Sequence, residues 1–151
     1  MPGYPANQPS SSGAPLACCD EDWEKACQRF ETAEVERLKF AKRLAGLGAR
    51  DWSRDQSVLE IFCGRGNALR VWFELGYSKV SGVDLSRRLL EAYQGPATQL
   101  YVGDCRDIKL PTASRDIIAV HGGSHHLPAL QTDLPLVFAE VARVLRPGGA
   151  S

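Results

Sequence analysis

The sequence predicts an α/β fold, a parallel sheet with helices on both faces, incomplete at its C-terminal side and preceded by an amphipathic helix. Three observations carry that reading. From Ser57 onward, short apolar runs alternate with segments of helical periodicity. The runs are almost continuously apolar, as strands buried on both faces must be. A turn of Gly64-Arg65-Gly66 joins the first run directly to a helix, the connection that strand-helix alternation requires.

Residues 1–19 hold four of the nine prolines and the run Ser10-Ser11-Ser12, with too little apolar surface to offset ordering, so a disordered tail is expected. Asp20, Glu21 and Asp22 then give a helix start its favoured acidic first turn. Trp23, Cys27, Phe30, Ala33, Leu38, Ala41 and Leu44 recur near helical spacing, and Gly46 and Gly48 end the helix, which should span 20–48 and cover the sheet. The domain proper runs over 57–151. Strands are expected at Ser57–Cys63, Lys79–Asp84, Gln99–Gly103 and Asp116–His121, with helices at Asn67–Leu75, Arg87–Tyr93 and Asp133–Leu145. Arg146-Pro147-Gly148-Gly149 reads as a helix stop and a turn. A fifth strand is expected to be missing, which would leave the fourth as an unpaired edge open to self-association or a partner.

The chain has 151 residues, 44% hydrophobic and 24% charged, which is the composition of one soluble globular domain. Eighteen basic residues offset eighteen acidic ones, so no net field draws the chain onto nucleic acid or anionic lipid. No apolar stretch approaches the roughly eighteen residues of a membrane span, and the first residues lack a secretory pattern. A cytoplasmic location with five reduced cysteines is the expectation. Acylation at the adjacent Cys18 and Cys19 would lack the second signal that stable anchoring needs.

Chemistry concentrates in the stretch VLEIFCGRGNAL, residues 58–69. A buried strand delivers Glu60, then Gly64 and Gly66, to the carboxyl edge of the sheet, where ligands of open α/β sheets bind. The second strand ends in GVDLS, placing Asp84 where a carboxylate accepts hydrogen bonds from ribose hydroxyls. The third ends in YVGDCRD and brings Asp104 and Cys105 to the same rim. A nicotinamide dinucleotide competes for such a pattern, but its third glycine would fall at Leu69. Glu60 inside the turn also suits a ligand with a positive end better than a diphosphate.

Over residues 57–150 the sequence resembles the class I, Rossmann-like S-adenosylmethionine-dependent methyltransferases. VLEIFCGRG resembles their first motif, GVDLS the second, YVGDCRDIKLP the third, DIIAVHGGSHHL the fourth, and RVLRPGG the segment before the fifth strand. The resemblance implies S-adenosyl-L-methionine as cofactor. Glu60, Gly64 and Gly66 would line its methionine end, Asp84 would hold its ribose, Asp104 and Cys105 would lie by its adenine and His121 would close the floor, with Phe62, Cys63 and Leu85 also among the cofactor-binding residues. Phe62 stands where the family most often has its first glycine, and a Phe-Cys-Gly version is familiar among RNA methyltransferases. The acceptor expected first is nevertheless a small molecule, since the fourth strand lacks the Asn/Asp-Pro-Pro-aromatic loop used on base amines and the charge is neutral. The remaining alternative is a truncated cofactor-binding subunit.

An activated methyl group needs positioning more than a nucleophile, together with a base where the acceptor carries a proton. His125 and His126, beside His121, are the candidates for that base. No further Cys, Asp or Glu stands at metal-ligand spacing, so no metal site is expected. The bland readings are a ligand-free tight turn at Gly64 and Gly66, a helix cap at Asp84, an ion pair of Asp104 with Arg106, and small buried residues at Cys63 and Cys105.

Overall fold

The computed structural model describes residues 32–121 and 130–150. Helix α1, Ala33–Gly46, starts at Thr32, whose backbone is extended and whose hydroxyl accepts the Val35 amide hydrogen bond at 3.3 Å. Glu34 and Glu36 in its first turn and Arg43 in its last complement the helix dipole. This start differs from the expected one at Asp20, because an extended Thr32 interrupts any continuous helix over 20–48; residues 20–31 lie outside the described part. The buried stripe keeps Ala41 and Leu44 of the expected positions but takes Phe40 in place of Leu38. Phe40, Ala41 and Leu44 face the core, whereas Leu38 is 63% exposed. Two residues apart on a helix is about 200° of rotation, so Leu38 and Phe40 cannot share a face.

The elements from β1 to α4 follow the predicted order: β1 Val58–Ile61, α2 Asn67–Glu74, β2 Val80–Asp84, α3 Arg87–Glu91, β3 Gln99–Val102, β4 Arg115–Val120 and α4 Leu130–Val144, and β5 Leu145–Ala150 comes after them. All strands are parallel, in the order β3-β2-β1-β4-β5. The chain starts at the centre, winds outward to β3, and then returns across β1 to β4. The β1–β4 boundary is therefore the switch point, where flanking connections diverge and leave a crevice at the carboxyl ends.

The central strand is buried along its whole length. Side chains alternate between faces: Val58 joins one core with Leu44 of α1, Leu69 and Trp72 of α2 and Leu90 of α3. Leu59 and Ile61 join the other, with Val137, Val141 and Val144 of α4. Helices thus cover both faces, as the apolar strands required.

The fifth strand is a correction. Leu145–Ala150 pairs in parallel with β4, Arg115 facing Leu145 and Ile117 facing Ala150 across a bulge. The edge of β4 that was expected to be open is therefore occupied. Arg146 holds the segment there, donating to the Asp116 carboxylate at 2.8 Å and to the Ala113 carbonyl at 3.2 Å. Pro147, which lacks an amide donor, is tolerated because this strand has β4 on one side only.

Gly66 is held by sterics from within the fold. Its φ is +79°, and a Cβ there would lie 2.4 Å from the Tyr93 ring. Gly64 also has a positive φ, +53°, but a Cβ would meet nothing within 4 Å. Gly66→Ala should therefore cost about 2 kcal/mol or more in urea unfolding, and Gly64→Ala about 1 kcal/mol from backbone strain alone. Equal losses would contradict this assignment.

Candidate functional site

Four strand tips meet at the carboxyl edge, and backbone hydrogen bonds fasten them together. The amide of Cys63 donates to the Val83 carbonyl at 3.2 Å, and that of Gly103 to the Asp84 carbonyl at 2.9 Å. The Asp84 carboxylate accepts from the Gly64 amide through one oxygen and from the Ser86 amide through the other, both at 2.9 Å. One acid thus fixes the glycine turn after β1 and starts the connection to α3, whose own cap is Ser86. Leu85 lies half-buried between them.

Phe62 occupies the left-handed region, φ 54°, a conformation that disfavours a side chain. Its ring packs into the core beneath α4, with Cys105 and Ile108, and its backbone is hydrogen-bonded to the Cys105 sulfur. Burial pushes the Cys105 thiol up to about 12 and raises Cys63 as well, with the nearby charge of Asp84 adding to both. Both are protonated, small buried residues rather than nucleophiles.

Asp104 reaches the rim with its carboxylate engaged. Arg106 donates from Nε to both oxygens at 3.1 Å and from a terminal nitrogen at 2.7 Å, and its other terminal nitrogen bonds Asp133 of α4 at 2.9 Å. The pair with Arg106 joins the tip of β3 to the helix on the far side of β4.

Glu60 is an acid buried in the core at this edge, 1% exposed. It accepts from Trp72 Nε1 of α2 at 2.9 Å. Burial pushes its carboxyl up to about 8, the Trp72 hydrogen bond opposing. His121 Nε2 lies 3.6 Å from Glu60 Oε1, a separation beyond a normal hydrogen bond, and is buried with no hydrogen-bond partner among the described residues. Burial first, and then the positive charge of Arg43, hold the His121 imidazole down at about 4. At neutral pH Glu60 is protonated and His121 neutral.

Helix α1 closes over this pair. Phe40 packs on the His121 ring, centroids 4.5 Å apart, Arg43 donates to the His121 carbonyl at 3.3 Å, and Glu36 takes the Asn67 side-chain amide at 2.5 Å. These α1 contacts, and Tyr93 beneath Gly66, were not among the residues the sequence singled out. A helix phase anchored on Phe40 and Leu44 is the signal that would have found the former. Glu60, Phe62, Cys63, Gly64, Gly66, Asp84, Leu85, Asp104, Cys105 and His121 all lie at the ends of β1 to β4 or just beyond them. His125 and His126 lie outside the described residues.

A five-stranded parallel sheet with its switch point at β1 and β4, glycines after β1 and an acid after β2, defines a Rossmann-like domain built to hold a nucleoside-containing ligand. Comparison with known proteins makes the class specific. The family model for the methyltransferase domain matches residues 59–151, and the chain belongs to that family. It is 32% identical over 129 residues to a malonyl-[acyl-carrier protein] O-methyltransferase of Serratia marcescens, covering 84% of this chain and 48% of that protein. A 27-O-demethylrifamycin SV methyltransferase of Amycolatopsis mediterranei is 31% identical over 127 residues, 78% of this chain and 44% of that protein. The chain therefore spans about half the length of the curated relatives it matches. Among solved structures, a SAM-dependent methyltransferase from Archaeoglobus fulgidus superimposes with a TM-score of 0.66 at 20% identity, covering 82% of this chain and 53% of that one. Another from Mesorhizobium loti gives 0.57 at 24% identity, covering 78% and 51%. These two show the shared fold.

The buried acid has a measurable consequence. Glu60 titrates near 4.5 in an unfolded chain and at about 8 here, so its burial costs nothing below the first value and progressively more as pH rises to the second. His121 acts in the opposite sense: its depressed value gives stability above its ordinary 6.5 that is lost as pH falls toward 4. Glu60→Gln, which keeps the acceptor for Trp72, should raise the Tm above that of the parent by an increment that grows across the interval from 4.5 to 8. A pH-independent difference in thermal melts would refute the neutral Glu60.

Proposed function

We propose that this domain binds S-adenosyl-L-methionine across the tips of β1, β2 and β3 and directs its methyl group to an oxygen atom of a small-molecule acceptor. The observation that carries the reading is the Gly64 amide held on the Asp84 carboxylate at 2.9 Å. It sets a backbone with open space in front of it, where a Cβ would meet nothing, against an acid at the adjacent strand tip. That cradle suits a ligand with a sugar diol and a chain that approaches the backbone closely.

The cofactor supplies a methyl group already activated on a sulfonium, so the protein's part is to hold and orient. Asp84 and Leu85 would receive the ribose, and Asp104 and Cys105 the adenine side, with Arg106 fixing the Asp104 carboxylate. Glu60, Phe62, Cys63, Gly64 and Gly66 would surround the methionine end, and His121 would form the floor under Phe40. A base from His125 or His126 would take the proton of a hydroxyl acceptor. The oxygen acceptor is supported by the names of both curated relatives, which specify O-methylation or a 27-O-demethyl substrate. Acceptor positioning is worth several kcal/mol, about 7 or more in well-oriented cases. A cytoplasmic location accompanies this reading, and among the described residues no helix is long and apolar enough to cross a membrane.

Calorimetric titration with S-adenosylmethionine tests the proposal directly. Saturable binding at one site is expected, and a folded protein that takes up none would overturn it. Asp84→Ala should weaken binding by about 1 to 3 kcal/mol, the cost of removing hydrogen bonds to a charged acceptor. Asp84→Asn, which keeps one acceptor oxygen for the Gly64 amide, should recover part of the stability but little of the affinity. Unchanged affinity in both variants would take the ribose away from Asp84.

A further inference from the structure

Glu60 does something that packing alone does not require. Its carboxyl sits on the same face of the sheet as α1 and α2, at the carboxyl edge, with a single neutral donor, Trp72 Nε1. The ionisable and charged groups that surround it and its neighbour His121 come from every adjoining element. Those that act on the pair directly are the Cys63 thiol in the turn, which feels the charge of Glu60, and Arg43 on α1, whose charge acts on the His121 imidazole after β4; Asp84 and Cys105 act on Cys63, and Glu36 on α1 is engaged by Asn67. Trp72 and Asn67, from α2, are neutral. No lysine or arginine among the described residues pairs with the Glu60 carboxylate, so burial leaves the neutral acid favoured.

His121 Nε2 faces Glu60 Oε1 and lacks a hydrogen-bond partner among the described residues. An imidazole suits both states of that carboxyl. One tautomer accepts the acid O–H through Nε2, and the other donates from Nε2 to the carboxylate.

We propose that Glu60 holds a proton in the free protein and releases it to solvent when the cationic end of the cofactor arrives, so that cofactor binding and loss of one proton are a single event. In that step the Glu60 O–H bond breaks, the proton goes to buffer, and the carboxylate left behind pairs with the positive charge brought by the ligand. The step rests on the cofactor reading above. It adds that affinity is set by pH through a buried acid rather than by a permanent charge.

The test is calorimetric titration of S-adenosylmethionine at about pH 6.5 in two buffers of different ionisation enthalpy, together with binding measured as pH changes. The expected result is release of close to one proton and a gain in affinity of about tenfold per pH unit as pH rises toward about 7.5. In Glu60→Gln, affinity should fall below that of the parent near pH 7.5, the remaining binding should release no proton, and its affinity should be flat over that range. Binding by the parent without proton exchange would overturn the inference and leave the cofactor reading standing. Release that survives Glu60→Gln would assign the proton elsewhere and also overturn it. Absence of any binding would overturn both. Infrared spectra of the free protein give a ligand-independent arm: a protonated carboxyl band near neutral pH, lost in Glu60→Gln, is expected, and its absence from the parent would overturn the inference.

Discussion

The hydrogen bond from the Gly64 amide to the Asp84 carboxylate is the constraint on which the site depends. Without it, the turn after β1 and the connection after β2 would be two separate loops. With it, the left-handed residues Phe62, Gly64 and Gly66 are held in one conformation over adjoining strand tips. An amide donating to a charged acceptor is one of the stronger hydrogen bonds a protein makes. Here it acts where backbone strain would otherwise be released. The same carboxylate bonds the Ser86 amide, so a single side chain sets both the glycine turn after β1 and the start of α3.

Glu60 shows the opposite economy. A buried carboxyl with one neutral donor destabilises the fold at neutral pH, because the unfolded chain ionises it freely. Its neighbours on β1 are apolar and pack without cost, which makes the acid an anomaly that packing does not explain. The proposed pairing with a cationic ligand end would neutralise that penalty. Helix α1 encloses this arrangement through Phe40 on His121 and Glu36 on Asn67. It thereby fastens to both lips of the crevice, at the tip of β4 and the start of α2.

The fold class and the order of its elements were legible because buried parallel strands leave short apolar runs and the glycine turn punctuates them. What the sequence could not give were the phases and edges. The stripe of α1 was misassigned at one position, because Leu38 fits helical spacing with Ala41 as well as Phe40 does with Leu44, and only packing in three dimensions chooses between them. The segment Arg146-Pro147-Gly148-Gly149 carries turn residues, and its pairing with β4 depends on Arg146 reaching Asp116, thirty residues away. At the site, the acids and glycines at the strand tips were legible from their positions after each apolar run. The pairing of Asp104 with Arg106 was among the readings the sequence offered, whereas the donor from Trp72 and the seat of Gly66 on Tyr93 required three-dimensional contacts. Gly66 is instructive, because a Cβ there would meet the Tyr93 ring, whereas one at Gly64 would meet nothing within 4 Å.

The claim that the tips of adjoining strands form one adenosyl-sulfonium site is tested most directly by mapping backbone amide shifts as S-adenosylmethionine is added. The account predicts that Gly64, Leu85 and Cys105, from three different connections, respond together with a single saturation curve. Shifts confined to one connection, or distributed over surfaces remote from the carboxyl edge, would contradict it.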